Sequence, residues 1–439
     1  MRIAAFLVVS ALLAAAPAPA AQSPTAGSPP AAGLDAQAVV AEVRRVIAER
    51  YVLPERRPAL DAVLAQGLAS GRYAVGEPRL LAERINEDLA RVGRDRHLNF
   101  SFNPEQSAVL AAANRAEAPD QSGVERQARA GNHGVRELRV LPGNIRYMDY
   151  RGFNWIGAES AAALETAMRF LAGGDAVIID LRRNGGGSPE AVQYLVSHFI
   201  EAGRPLVTFH FAGQPTDTLS ALAEVPAGRL VGRPLYVLTS NGTASAAEEF
   251  TGHVAGYRLG DVVGETTAGA GFRNDMVAID GGFVLSVSTG RAVLASTNRD
   301  WEAVGIVPTM PTPVATALEA AQAHALRRLA AQAQPAERAR LEALAETLAA
   351  RVEPRAAALP LQSYAGEFGE RAVLHENGRL YYRRGSRAPF ALVALGGNRF
   401  AFEEDPLMRI EFSANGTAVS AFEMQPFGGP AQGRYERTR

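Results

Sequence analysis

The chain has 439 residues, with 45 basic and 46 acidic side chains, a formal net charge of −1 and 47% hydrophobic residues. This composition is typical of a globular protein of about two to three domains, and it excludes a disordered tail, a coiled coil, a collagen-like fibre and a polytopic membrane protein. The balanced charge gives no indication of a nucleic-acid partner. Because cysteine and lysine are both absent, disulfides, thiol catalysis, cysteine-bound metals and lysine general bases are excluded.

The first 20 residues have the features of a secretory signal peptide. Arg2 precedes an apolar run from Ile3 to Ala16, and Ala18-Pro19-Ala20 supplies small residues for cleavage. The run is shorter than the roughly 20 residues that a membrane-spanning helix needs, so cleavage is favoured over a retained anchor. We therefore expect an exported bacterial protein, periplasmic or secreted, in which residues 21–34 form a linker rich in Ala and Pro.

Four regions with different residue patterns follow the linker. Residues 35–115 carry apolar side chains at helical spacing and are predicted to form a helical N-terminal cap. Residues 116–320 alternate apolar strands with helices, which predicts an α/β core. A stretch rich in Ala, Leu, Arg and Glu over 315–352 predicts helix and places a connector at 321–356. Short strands separated by turns predict a small all-β module over 357–439.

A glycine-rich turn follows one of the predicted buried strands, in the sequence VIIDLRRNGGGSPE at 177–190. The glycines at 185–187 allow backbone N–H groups to approach a ligand beside the helix that begins at Pro189. Such groups stabilise either a phosphate or a tetrahedral oxyanion. No Gly-Lys-Ser/Thr follows, so the phosphate interpretation is the weaker one. A flexible turn without chemistry remains an alternative.

A serine surrounded by small residues follows another predicted buried strand, in the sequence PLYVLTSNGTASAAEEF at 234–250. Ser245 stands at the predicted start of a helix with little steric cover, and the amide of Ala246 can donate to an oxyanion. An ordinary helix N-cap is an equally good interpretation, and Thr243 would serve that role as well. Ser240 and Thr243 are weaker candidates for a nucleophile.

A serine nucleophile needs a base, and in the absence of lysine the seven histidines are the leading candidates. Position along the chain favours His97, which follows an Asp-Arg turn at a predicted domain junction, and His133. Glu302 is an acid in the otherwise apolar sequence WEAVGIV, where it either orients a base or pairs with an arginine. No cluster of His, Asp and Glu has the sequence spacing of metal ligands, so no metal and no organic cofactor is expected.

These motifs, in this order, resemble a family of serine peptidases that includes the tail-specific (C-terminal processing) proteases, the tricorn core and interphotoreceptor retinoid-binding protein. The resemblance covers about residues 35–320. Its motifs are DLRRNGGG (180–187), TASAAE (243–248), GETTAG (264–269) and WEAVGIVP (301–308). The Asp-x-His-Leu sequence that ends the cap, at 95–98, and the segment 132–150 are similar to the retinoid-binding-protein-like branch.

The resemblance implies a ClpP/crotonase-like α/β core and an exported serine-type peptidase that works through an acyl-enzyme. The serine–lysine dyad of the tail-specific proteases is excluded, because AGAG stands at 268–271 and the chain has no lysine. The tricorn-like triad remains. The roles that it implies are nucleophile for Ser245, general base for His97, acidic member for Glu302, and backbone oxyanion donors for Gly186 or Gly187 together with Ala246.

Three positions depart from the family pattern: Arg96 replaces the tricorn-type serine, Ala303 a glycine and Thr309 an aspartate. The interval of 83 residues from His97 to Asp180 leaves no room for an inserted PDZ domain. We expect a peptide or unfolded protein as substrate, no nucleic acid and no membrane span after signal removal. The oligomeric state is not indicated. A catalytically silent carrier of a hydrophobic ligand, retinoid-like or lipid-like, and an esterase with the same site remain alternatives.

Overall fold

The structure is a computed structural model that describes residues 34–93, 95, 97–113, 122–211 and 215–439. The predicted signal peptide and Arg96 lie outside these residues. Within the described part of the chain, no helix is both long enough and apolar enough to cross a membrane.

The N-terminal region is mainly helical, as its periodicity predicts. Its elements are α1 (Ala36–Arg50), α2 (Arg57–Ala69), α3 (Pro78–Gly93), β1 (Asn99–Phe102), α4 (Pro104–Ala113) and α5 (Ser122–Ala130). The apolar residues of the first three helices face one another, and Val43, Leu64 and Ile85 are fully buried. Burial of these stripes stabilises the cap.

The central region alternates strands with helices. Its elements are β2 (Val135–Leu141), β3 (Ile145–Tyr150), α6 (Ala158–Ala172), β4 (Ala176–Asp180), α7 (Pro189–Val196), β5 (Pro205–Phe211), β6 (Asp217–Ser220), β7 (Leu235–Thr239), α8 (Ala246–Gly256), β8 (Asp261–Gly264), β9 (Phe272–Ile279), β10 (Phe283–Leu294) and β11 (Met310–Pro311). Every residue of β4 and β7 is buried. Their continuous apolar runs are typical of strands covered on both faces.

The C-terminal region consists of two helices followed by an antiparallel sheet. Its elements are α9 (Ala317–Ala330), α10 (Pro335–Val352), β12 (Gly366–Phe368), β13 (Arg371–Glu376), β14 (Arg379–Arg384), β15 (Phe390–Gly396), β16 (Arg399–Phe402), β17 (Met408–Asn415), β18 (Ala418–Pro426) and β19 (Arg434–Glu436). The helical stretch predicted over 315–352 is divided between α9 and α10. The division falls just before Pro335, which has no N–H to donate and therefore suits a first turn.

The eight C-terminal strands pair in chain order and nearly close on themselves. The Glu367 N–H donates to the Arg439 carbonyl at 3.0 Å, and the Thr438 N–H donates to the Glu367 carbonyl at 2.7 Å. The last residues of the chain therefore lie beside the first strand of this sheet. A mixed helix and sheet protein that ends in antiparallel β structure is thus confirmed.

The central sheet has the strand order β11-β8-β7-β4-β3-β2, and β2 alone runs antiparallel to its neighbour. Because β4 and β7 are adjacent and parallel, the turns that follow them leave the sheet at the same edge. These turns carry the glycines at 185–187 and Ser245. The topology therefore brings the two glycine- and serine-containing motifs together.

A second sheet, with the order β1-β10-β5-β6 and β9 paired to β10, connects the cap to the central region. The strand β1 begins two residues after His97 and pairs antiparallel with β10. Phe100 on β1 stacks on Phe283 on β10 with ring centroids 5.1 Å apart. These rings belong to the same hydrophobic core as the cap helices, so this core determines where His97 lies.

Candidate active site

The turn that carries Ser245 is sharply bent. Ser245 has φ 54° and ψ −122° and immediately precedes α8. A positive φ is uncommon for a residue with a side chain and costs conformational energy. A strained turn between a strand and a helix is also the geometry that exposes a nucleophilic serine in hydrolases. The residue is half-buried, and its position at the helix N-terminus favours negative charge on its oxygen.

A buried carboxylate holds this turn in place. One oxygen of Glu248 accepts the N–H of Ser245 at 2.9 Å and that of Ala270 at 2.8 Å. The other accepts the Thr267 hydroxyl and the Gly269 N–H, both at 2.6 Å. Burial raises the pKa of Glu248, and the four donated hydrogen bonds oppose that shift. All four partners act as donors, so the carboxyl group of Glu248 serves here as an acceptor only.

The two weaker nucleophile candidates have structural roles in the same turn. The Ser240 hydroxyl donates to the Arg182 carbonyl at 2.6 Å, and the Thr243 hydroxyl donates to the Leu181 carbonyl at 2.8 Å. Both bonds join the turn after β7 to the turn after β4. They fix the two loops relative to each other and leave Ser245 as the serine at the helix start.

The glycine-rich turn packs directly against the serine. A Cβ atom placed on Gly186 would lie 2.7 Å from the Cβ of Ser245, closer than side chains can approach. Gly186 also has φ 109°, a conformation that favours glycine. The Asn184 side chain stabilises the turn, because its oxygen accepts the Gly186 N–H at 2.9 Å and its amide nitrogen donates to the Tyr150 carbonyl at 2.9 Å.

The N–H groups predicted as oxyanion donors differ in availability. That of Gly186 is engaged by Asn184. Within the described residues, no hydrogen bond engages the N–H of Gly187 or that of Ala246 at the first position of α8. Gly187 and Ala246 are therefore the two donors that remain available for a ligand oxygen beside Ser245.

A histidine and two acids converge on one point. A ring nitrogen of His97 and one carboxylate oxygen each of Asp95 and Glu302 lie within 4.8 Å of one another. Glu302 Oε2 accepts the N–H groups of Gly271 at 2.6 Å and Phe272 at 3.0 Å, which orients its carboxylate. Such a set of atoms could also bind a divalent cation, but the serine motifs around the cluster favour proton transfer.

His97 has the properties of a base that is neutral at physiological pH. Burial lowers its pKa, and the negative charge of Asp95 opposes that shift. Its Nδ1 is buried and makes no hydrogen bond among the described residues. Likewise, no hydrogen bond between the described residues joins the Ser245 hydroxyl to His97. Such contacts are often long before a substrate binds.

Two neighbouring amides connect the serine turn to this cluster. The Ala270 N–H donates to Glu248, which holds Ser245, and the next N–H along the chain, that of Gly271, donates to Glu302. The Trp301 indole N–H donates to the Ala270 carbonyl at 3.2 Å and strengthens the same connection. The segment at 269–272 therefore lies between the predicted nucleophile and the predicted acid.

The other histidines lie elsewhere in the structure. His133 Nδ1 contacts the Ser160 hydroxyl at 2.8 Å, and His253 is fully buried 3.5 Å from Glu249. The remaining four are assigned by their surroundings: His198 bonded to a helix carbonyl, His324 bonded to a tyrosine, His210 exposed on β5 and His375 on β13. Of the two histidines left open by the sequence, His97 is the one beside Glu302.

Asp95 is the member of the cluster that sequence reasoning missed. The signal was present, because Asp-x-His-Leu at 95–98 was one of the motifs behind the family resemblance. Its spacing alone did not indicate that the carboxylate turns back toward the histidine.

The departure at Ala303 has a visible cost, since this residue has φ 62°, where a glycine would be unstrained.

Family models match two segments of the chain. Residues 144–312 match peptidase family S41. Residues 34–130 match the N-terminal domain of Peptidase_S41 in eukaryotic IRBP. The two matches include the cap, both turns and the segment that carries Glu302.

Individual relatives cover smaller parts. Carboxyl-terminal-processing peptidase 2, chloroplastic, from Arabidopsis thaliana is 27% identical over 237 residues, which are 48% of this chain and 44% of the relative. Carboxy-terminal processing protease CtpA from Bacillus subtilis is 28% identical over 123 residues, 28% of this chain and 26% of the relative. The chain thus spans less than half the length of these curated relatives. The solved photosystem II D1 C-terminal processing protease has a TM-score of 0.43 at 18% identity, covering 64% of this chain and 94% of that one.

We predict that Glu248→Gln lowers the free energy of unfolding by about 2 to 4 kcal/mol, because an amide NH₂ would face buried N–H donors and leave them unpaired. Denaturant unfolding followed by tryptophan fluorescence measures the change. Glu265→Gln, at an exposed glutamate of the neighbouring GETTAG motif, is the matched control and should change stability by less than about 0.5 kcal/mol. Equal stability of the two variants would contradict the role assigned to Glu248.

Proposed function

We propose that this chain, which belongs to peptidase family S41, is a serine peptidase. It hydrolyses peptide bonds through an acyl-enzyme. In this proposal Ser245 is the nucleophile, His97 the general base and Glu302 the acid that orients the base. The whole protein's activity and its substrates are part of the proposal. Peptides or unfolded proteins are the substrates that we expect.

The observation that carries this proposal is the convergence of His97 and Glu302 beside the segment that also holds the Ser245 turn. The three residues come from the end of the cap, the start of α8 and the segment after β10. Unrelated structural roles would not require a histidine, an acid and a strained serine turn to share one backbone segment. A nucleophile, a base and an orienting acid are what acyl transfer by serine requires.

The reaction begins when the Ser245 oxygen attacks the peptide carbonyl and its proton passes to His97. The carbonyl oxygen becomes an oxyanion, which the N–H groups of Ala246 and Gly187 stabilise, while Gly186 leaves room for it beside the serine. His97 then gives the proton to the leaving amine, and an acyl-enzyme remains on Ser245. Water, deprotonated by His97, then attacks the ester. The bond to the Ser245 oxygen breaks, that oxygen takes the proton back from His97, and the carboxylic acid product leaves.

We also propose that the core is ClpP/crotonase-like and that the protein is exported. The central sheet, parallel except for β2, has helices on both faces and the site at its strand ends, which supports a ClpP/crotonase-like core. The signal-peptide features of residues 1–20 support export to the periplasm or beyond.

We predict that a fluorophosphonate probe labels the purified protein at Ser245, because only an activated serine reacts with it. Peptide mapping identifies the modified residue. Labelling should be absent in Ser245→Ala and lowered by at least about 100-fold in His97→Ala, whereas Ser420→Ala, an exposed serine of the C-terminal sheet, should label normally. No labelling of the folded wild-type protein would contradict the peptidase and esterase hypotheses and favour a hydrophobic carrier.

We predict that Gly186→Ala lowers the labelling rate by about 10- to 1,000-fold, because the added Cβ would displace Ser245 and the N–H groups that hold the oxyanion. Gly185→Ala is the control, since a Cβ at that glycine meets no atom within 4 Å. The comparison uses the rate of probe incorporation at pH 7.5 for both variants. Equal rates would mean that the glycine turn does not line the reacting atoms.

We predict that the labelling rate falls on the acidic side with a midpoint below 6.5, the ordinary pKa of histidine. Burial lowers the pKa of His97, so the neutral ring that accepts the proton persists to lower pH than for an exposed histidine. Labelling rates measured between about pH 4.5 and 8 give the midpoint. A midpoint above 6.5 would show that another group, or a differently placed His97, is the base.

A further inference from the structure

The turn between α3 and β1 contains a buried acid that the triad leaves without a role. Asp95 is 7% exposed. Its Oδ1 accepts the N–H of His97 at 2.8 Å and that of Leu98 at 3.1 Å. An aspartate that binds the amides two and three residues ahead fixes the local backbone of a turn. One oxygen of Asp95 therefore determines the direction in which the chain presents His97.

The second oxygen of this carboxylate is unusual. Among the described residues Asp95 Oδ2 is buried and makes no hydrogen bond, and the same holds for Nδ1 of His97. A buried charged oxygen without a partner costs free energy, so its presence requires a reason. Both atoms belong to residues of the cluster that spans no more than 4.8 Å. A positive charge that appears on the imidazole would be stabilised by the carboxylate that carries this oxygen.

Glu302 differs from Asp95 in how its carboxylate is engaged. Its Oε2 already accepts two backbone N–H groups, those of Gly271 and Phe272. These bonds orient Glu302 and reduce the negative charge that it offers to His97. Asp95 binds backbone through one oxygen, and its other oxygen makes no hydrogen bond among the described residues.

We propose that Asp95 is a second carboxylate of the site, a positioning residue that fixes the backbone of His97 through one oxygen and stabilises the protonated ring through the other. This inference rests on the proposed function. When the Ser245 proton passes to His97, the imidazolium is neutralised by Asp95 and Glu302 together, and the charge disappears when the proton moves on to the leaving amine. The site thus has four side chains, one more than the triad that the family motifs indicate.

The charged and titratable groups around His97 are few. Asp95 faces it from the same turn and Glu302 from the segment after β10. Behind Asp95 lies Tyr51 at the end of α1. Burial, the Asp95 charge and the approach of the Tyr51 hydroxyl to the Asp95 carboxylate raise the pKa of Tyr51, so that it stays neutral, and Arg56 opposes this shift from the turn after α1. Arg96 lies outside the described residues. Asp95 and Glu302 are therefore the described acids that determine the charge balance at His97.

The test compares Asp95→Asn with the wild type by ¹⁵N NMR of histidine-labelled protein, with His97→Ala to assign the signal. Asparagine keeps an oxygen for the two amides but removes the charge, so the pKa of His97 should fall. Asp88→Asn is the control, because Asp88 is equally buried in the cap and bonds only Arg72, Tyr73 and Arg91 among the described residues; it should leave the titration of His97 unchanged. An unchanged or raised pKa in Asp95→Asn would overturn the proposal.

A second readout follows the chemistry. In Asp95→Asn the plateau rate of fluorophosphonate labelling should fall by about 10- to 100-fold, with the acidic midpoint moved to lower pH. A purely structural role would lower the plateau without moving the midpoint, and that result would also overturn the proposal. If Asp95→Asn does not fold, Asp95→Ser is used in its place, because serine keeps an oxygen near the two amides. Failure of the wild type to label would contradict the proposed function, while the NMR titration would still decide the role of Asp95.

Discussion

The arrangement of this site depends on one buried carboxylate. Glu248 accepts hydrogen bonds from the turn that carries Ser245 and from three residues of the segment 267–270. Burying a charge is costly, and it is tolerated here because four donors satisfy it. In return the carboxylate holds a serine in a strained conformation that a free loop would not maintain. The next amide along the chain orients Glu302, so the proposed nucleophile and the proposed acid share a single support.

The proposed base, His97, is positioned by a different part of the structure. His97 belongs to the segment that leaves the cap, and its position follows from the core shared by the cap helices, β1 and the β9–β10 pair. The Ser286 hydroxyl on β10 donates to the His97 carbonyl and holds the same segment. Ser245 and the glycine turn are set by a parallel sheet, whereas His97 is set by packing between two parts of the chain. The integrity of the cap–sheet core is therefore a condition for assembling the site.

Much of the architecture could be predicted from local patterns. The apolar runs of β4 and β7 and the helical stripes of the cap are determined by short-range periodicity, and the structure has them where the sequence indicated. The division of the helical stretch at 315–352 was harder to predict, because its composition is uniform. The break before Pro335 leads to two helices that pack against each other. Propensity alone does not distinguish one long helix from a helical hairpin. For the site, motif order pointed to Ser245, His97 and Glu302, but it could not indicate which glycine N–H is free, since the Asn184 side chain decides that.

The sequence by itself determined most of the elements, the family and the set of chemically competent side chains, because periodicity, residue type and motif order are properties of neighbouring residues. The absence of lysine alone removed one mechanism. Tertiary structure decided which of seven histidines lies beside Glu302 and that Gly186 must lack a side chain. It also brought Asp95 into the cluster. These outcomes depend on contacts between residues far apart in the chain, where burial, close packing and the pairing of buried charges select one geometry, and no local pattern records that selection.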